Sequence, residues 1–232
     1  MQMGHGWLQA GLMAGVALLS GPRSALQAQA TSVTVTGQVT ILERKNKPGN
    51  DVAQTVIWLT GPDAPAGQPS RIDMATEGKQ FTPRLAVIAP GSSVTFPNHD
   101  PFNHNVFSLS PEGPFDLGLY GRGEAKSVTF NRTGIIRVYC NVHAQMRGLL
   151  VVVASGLTTQ AGSDGSFQLD SVPPGDYTLH AWHERGGEAT QPLKVTSKDQ
   201  PPVAITLDAR GYKFVQHTDK HGQSYYDRES RY

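Results

Sequence analysis

A chain of 232 residues has room for one large domain or two small ones, each able to bury its own core. Its formal net charge is +1, only 17% of residues are charged and no long charge run occurs, so no polyanion-binding surface is indicated and nucleic acid is set aside as a partner. With 38% hydrophobic residues, 25 glycines and 16 prolines, the composition is that of a soluble, turn-rich globular protein rather than a disordered one.

In chain order, the first thirty residues come first and are set apart. The run "WLQAGLMAGVALLSG" is apolar, uncharged and short for a bilayer span, and "AQA" at 28–30 supplies the small residues of a cleavage site. Residues 1–30 are therefore read as a secretory signal cleaved near Ala30, with an uncleaved anchor or an internal helix as the alternatives. The mature protein is then periplasmic or otherwise exported, with no membrane span after cleavage. Beyond it, short β-rich runs recur: "SVTVTGQVTIL", "QTVIWLTG", "RLAVIA", "SSVTFPN", "HNVFSLS", "KSVTFN", "IIRVYC", "GLLVVV", "SFQLDSV" and "DYTLHAW". Gly, Pro, Asn and Asp clusters separate them, and no stretch has a helical apolar period, so the expected class is all-β, built from antiparallel sandwiches. "TGPDAPAGQPS" (Thr60–Ser70) and "ASGLTTQAGSDG" after Val153 read as linkers, and from Ala209 onward a polar stretch without alternation reads as a C-terminal tail, 209–232.

The chemistry gathers between the two linkers. Cys140, the single cysteine, ends the alternating run "GIIRVYC", and His143 and Met146 follow in the loop behind it. In an oxidising compartment one cysteine makes no internal disulfide, which leaves a crosslink, a buried thiol or a ligand. A thiolate, an imidazole and a thioether converging from one loop select copper among metals, and two histidines, one cysteine and a long axial methionine describe a blue-copper site. The second histidine is expected to be His104, at a strand boundary, rather than His99, which sits in the turn-like "NHDPF". An inert buried thiol remains the plain alternative, and zinc is disfavoured by the thioether.

The stretch "FTPRLAVIAPGSSVTFPN…HNVFS…KSVTFNRTGIIRVYCNVHAQMRGLLVVV" resembles a cupredoxin. Its compact C-x-x-H-x-x-M loop, followed by Arg-Gly and a valine strand, is similar to amicyanin, and plastocyanin is similar with a longer loop. The resemblance implies a Greek-key β-sandwich over 70–154 holding one type 1 copper, with His104, Cys140 and His143 as equatorial ligands and Met146 as the weak axial one. It implies that Asn105 hydrogen-bonds toward the cysteine loop, and that His143 presents its ring edge where a redox partner docks transiently. It departs at Ala144, where amicyanin has proline. A second stretch, "GSDGSFQLDSVPPGDYTLHAWHE", resembles the closing half of a carboxypeptidase-regulatory, transthyretin-like sandwich, and "VTVTGQVTILERKNKPGNDVAQTVIWLTG" resembles its opening half. The copper domain is thus expected to be inserted into a smaller sandwich split between 31–61 and 156–208. The order of the whole chain resembles a group of exported plastocyanin-like proteins associated with methylamine utilisation.

No Ser-His-Asp elbow, phosphate-cradling glycine loop or HExxH motif occurs, so the reading is an electron carrier and not an enzyme. The alternative is a copper-binding carrier or sensor, or a structural module of an envelope assembly without an electron-transfer role. His99, His180 and His183 read as ordinary turn or strand residues, and His217 and His221 lack a helix to present them together.

Overall fold

The structure, a computed structural model, describes residue 1 and residues 32–46, 51–196 and 200–225, so the expected signal segment and its cleavage site lie outside the described residues. The chain is all-β. Strands β1 (Val33–Leu42) and β2 (Val56–Thr60) lead into β3 (Arg71–Asp73), β4 (Ala75–Glu77), β5 (Gln80–Thr82) and β6 (Leu85–Ile88). Next come β7 (Ser92–Pro97), β8 (His104–Ser108), β9 (Phe115–Tyr120), β10 (Ala125–Phe130), β11 (Gly134–Cys140) and β12 (Arg147–Val152). The chain closes with β13 (Thr158–Gln160), β14 (Ser166–Val172), β15 (Gly175–His183), β16 (Gly187–Val195) and β17 (Val203–Asp208). No helix among the described residues is long and apolar enough to cross a membrane.

A five-stranded sheet, β6-β12-β11-β8-β9, faces a three-stranded one, β10-β7-β3, over a core that includes Val94, Phe96, Val106, Ile136, Val138 and Leu150. Period-2 alternation makes the second sheet amphipathic: "SSVTFP" in β7 buries every other residue. A second pair of sheets, β14-β1-β17 and β13-β2-β15-β16, closes over Val35, Val39, Leu59, Phe167, Leu179 and Leu207. Here β1 pairs antiparallel with β14 and parallel with β17, and β2 pairs antiparallel with β13 and β15, so segments more than a hundred residues apart in the chain share one core. The two linkers run side by side, with Ala66 bridged to Ser155, Gly67 N–H donating to Ala154 (2.7 Å) and Gly156 N–H to Pro65 (2.7 Å).

The five-stranded sheet is covered on its outer side as well. Trp182 and Val56 of the second sandwich pack on Leu149, Val151 and Val153. Arg84 ties the same junction by donating to Gln54 and pairing with Glu184. Burial on both faces explains why β8, "HNVFS", is buried at every position and why β12, "RGLLVV", is a nearly continuous apolar run, neither showing alternation. The described part of the expected tail, 209–225, contributes to this cover. His217 stacks on Tyr139 at 4.0 Å between ring centroids and lies 6.5 Å from Phe107, which is fully buried. The segment lacks alternation because it docks as irregular chain, through individual side chains and turns.

Candidate metal centre

Two strand ends bring the site together. β11 pairs with β8 in the register Tyr139↔Phe107 and Cys140↔Val106, which turns Cys140 toward the same interior as His104. The loop behind Cys140 closes on itself: Met146 N–H donates to His143 (3.0 Å) and Cys140 N–H to Met146 (3.3 Å). Asn141 N–H donates to the Asn105 carbonyl (2.8 Å), fastening the loop to β8. The turn leading into β8 is built around the buried Asn98, whose amide donates to Phe102 (2.9 Å) and whose carbonyl accepts from Asp100 N–H (2.9 Å) and Thr76 (3.1 Å).

The result is a cluster of donor atoms. Cys140 Sγ lies 3.5 Å from His104 Nδ1 and 3.7 Å from His143 Nδ1. The ligating atoms of His104, Cys140 and His143 all fall within 4.8 Å of one another, the one such group of His, Cys, Asp or Glu among the described residues. These spacings fit a first-row metal ion: with bonds of about 2.3 Å to sulfur and about 2.0 Å to nitrogen, as at a zinc site, angles of roughly 110–120° require S···N separations of about 3.5–3.7 Å. His104 and Cys140 are fully buried, Met146 is 1% exposed, and His143 is half-buried. Burial pushes the Cys140 thiol up, but the His104 ring and the N–H groups of Asn105, Val142 and His143 outweigh it and hold it below its ordinary value. For His104 burial works against the charged ring, and Cys140 and Asp100 together raise its pKa in spite of that. His143 is lowered by burial and then by the neighbouring charges of His104 and Lys79.

Residues 69–153 match the family model of copper binding proteins of the plastocyanin/azurin family. This part of the chain is therefore similar to a cupredoxin domain. No curated protein matches the chain. Among solved structures the chain is similar to a copper-containing nitrite reductase from Thermus scotoductus SA-01, at 27% identity and a TM-score of 0.34 over 37% of this chain and 22% of that one. It thus spans about a fifth of that enzyme's length. It is also similar to a purple cupredoxin from Nitrosopumilus maritimus (24% identity, TM-score 0.32, 36% of this chain and 99% of that one). Amicyanin from Paracoccus versutus is similar at 23% identity, TM-score 0.33, over 40% of this chain and 85% of that one.

The fold brings His104, Cys140 and His143 together and leaves His99 exposed, with its backbone N–H bonded to Thr76. Asn105 reaches the cysteine loop through its main chain, while its side-chain amide donates instead to Asp116 (2.6 Å). Two neighbours were missed from sequence. Asp100 accepts from His104 Nε2 at 2.8 Å and is itself anchored by Gly78 N–H (2.7 Å) and Lys79 N–H (3.0 Å). Phe102 lies against both imidazoles, 5.4 Å from His104 and 5.3 Å from His143 between centroids. The other histidines are engaged elsewhere: His180 stacks on Trp58 and bonds to Thr60 and Glu188, and His183 is buried 3.4 Å from Asp51.

Proposed function

We propose that the protein is an exported type 1 copper protein that carries single electrons between redox partners, with His104, Cys140, His143 and Met146 as the copper ligands. The observation that carries this reading is a buried sulfur flanked at 3.5 and 3.7 Å by the Nδ1 atoms of two histidines, in a chain segment of a copper-binding family. Copper bound there supplies a one-electron couple.

The chain's own residues do the rest. N–H donors around Cys140 favour the thiolate that a metal needs, so metal binding displaces a proton from Sγ. Asp100 accepts a hydrogen bond from His104 Nε2–H, which favours the tautomer that leaves Nδ1 free to face the sulfur. Asn105 joins the two ligand segments through its main chain and secures β8 to β9 through Asp116. His104, Cys140 and Met146 are buried, which would keep water from that side of a bound ion. His143, the less buried of the two imidazoles, is the edge at which a partner would dock.

The domain organisation belongs to the same proposal. Residues 70–154 are a cupredoxin inserted into a transthyretin-like sandwich formed by 31–61 and 156–208, a reading supported by the pairing of β1 with β14 and β17 and by the adjacency of the two linkers. The test of the metal assignment is the visible spectrum with Cu(II). A strong thiolate-to-copper band near ~600 nm is expected, with a reversible one-electron wave at an electrode. A colourless copper complex, or a Cys140→Ala protein that keeps the band, overturns the assignment.

A further inference from the structure

The segment after β17 is bound to the ligand loop more closely than a cover needs to be. Gln216 Nε2 donates to the Ala144 carbonyl (2.5 Å), Lys220 N–H to Asn141 Oδ1 (3.0 Å), and the Tyr225 hydroxyl to the Cys140 carbonyl (2.8 Å). Lys220 Nζ also reaches Asp116 Oδ2 (2.6 Å), and the other oxygen of that carboxylate holds Asn105. One segment therefore grips both halves of the site: the Cys140–Met146 loop at three residues, and β8 next to His104 through Asp116.

The gripping groups are themselves held in place. Asp219 is fully buried and its carboxylate caps a tight turn, accepting from the N–H groups of His221 (2.8 Å) and Gln223 (2.8 Å), with Gly222 at φ +78 permitting the reversal. That turn fixes Lys220. Upstream, His217 is wedged on Tyr139 and meets Tyr225 edge-on at 5.2 Å, which sets the height of Gln216 and Tyr225 over the loop. The loop has little stiffness of its own. "NVHAQ" contains no proline; its main-chain bonds are those from Met146 to His143 and from Cys140 to Met146, and its other internal contacts converge on Cys140 Sγ, from Val142 N–H (3.4 Å) and His143 Nδ1 (3.7 Å).

We propose that residues 210–225 are a strap that positions the copper loop, with Gln216, Lys220 and Tyr225 as positioning residues that fix Cys140 and His143 against His104; this rests on the copper reading above. The strap supplies from outside the rigidity that the loop sequence omits, so it governs the geometry of the metal site and the ease with which the loop opens to release the ion.

The test is a Gln216→Ala/Tyr225→Phe double variant in the copper-loaded full chain, which removes two of the loop contacts and leaves the aromatic packing in place. The readouts are the intensity ratio of the ~450 and ~600 nm bands, the Cu(II) EPR hyperfine splitting, and Cu(I) release to a chelator. The expected result is an altered band ratio and splitting, with release faster by roughly tenfold for two lost hydrogen bonds, at unchanged far-UV circular dichroism. A lowered thermal midpoint with identical spectra and release would mean that the strap only covers the sheet, and would overturn the proposal. Absence of the band from the unsubstituted chain is a separate result, sinking the copper reading and the strap's role with it.

Discussion

Replacing Trp182 with alanine tests how far the second sandwich supports the copper domain. Trp182 lies at the end of β15, is 7% exposed, and packs with Val56 against Leu149, Val151 and Val153 on the outer face of β12. A tryptophan buries about 150–250 Å² of surface, which at ~25 cal/mol per Å² amounts to about 4–6 kcal/mol as an upper bound. Partial collapse of the cavity brings the expected loss to about 3–5 kcal/mol, in line with large-to-alanine changes elsewhere. Each sandwich keeps its own core, so the loss falls on the coupling between them. The assay is urea unfolding of the copper form, followed by far-UV circular dichroism and by the thiolate-to-copper band. In the unsubstituted chain the two signals should move together; in the variant they should separate into two transitions, with the band lost at its own midpoint. Phe167→Ala, which opens the second core far from β12, is the control and should lower the circular dichroism transition without the same loss of coupling. A loss below about 1 kcal/mol with coincident transitions would refute the idea that Trp182 couples the sandwiches.

Other consequences follow from particular contacts. Asp100→Asn removes a negative charge hydrogen-bonded to His104, and a unit charge at roughly 6 Å with an effective dielectric constant of about 20 is worth about 3 kcal/mol. The reduction potential should therefore rise by on the order of 100 mV, measured by voltammetry, and an unchanged or lower potential would contradict the assigned role. The Asp116 carboxyl is pushed up by burial but held down to about 2 by Lys220 and Asn105, against an ordinary 3.8. Its contribution is therefore present above pH 3.8 and is lost as the pH falls through about 2; Asp116→Asn should flatten the dependence of thermal stability on pH in that window. His217 is depressed below 6.5 by burial, so its contribution is present above pH 6.5 and is lost as the pH falls toward the lowered value; a His217→Phe protein should lack that part of the slope in acid unfolding. Gly37→Ala would set a Cβ 2.3 Å from the Phe167 ring and from the Val203 carbonyl, so it should destabilise the second sandwich by about 2–3 kcal/mol and leave the copper spectrum unaltered.

The all-β class was legible because most strands keep one wet face, as in "SSVTFP" and "SFQLDSV", where alternation survives. In "HNVFS" and "RGLLVV" it does not, and the reason is a second covering layer that single-strand patterns do not encode. The grouping of His104, Cys140 and His143 could be anticipated for a chemical reason, since a cysteine and a histidine three apart in one loop call for a further donor, and His104 could be preferred to His99 from the strand that follows it. Asp100 was not legible, because a carboxylate four positions before a histidine meets it only through the particular turn built on Asn98. The strap was less legible still. Gln216 and Tyr225 bond to main-chain carbonyls, which every residue possesses, and Lys220 finds Asp116 across 104 positions of chain.

The contacts of the site divide its donors by how they are held. His104 sits on a strand, is sealed from water, and is braced by a carboxylate that is itself anchored on two backbone N–H groups. Cys140 and His143 sit on or beside a loop, where fewer internal bonds resist motion and where a change in metal charge would otherwise be answered by movement. Small reorganisation between two redox states requires both groups to be equally constrained, because the softer side alone determines how far the set relaxes. In this molecule the loop is held from the outside: the second sandwich packs on β12 beyond the loop, and the C-terminal segment binds the loop at 140, 141 and 144. On this reasoning the segments flanking residues 70–154 help to hold the candidate metal site, and a piece cut out at 70–154 should bind copper with a looser and more variable site than the full chain.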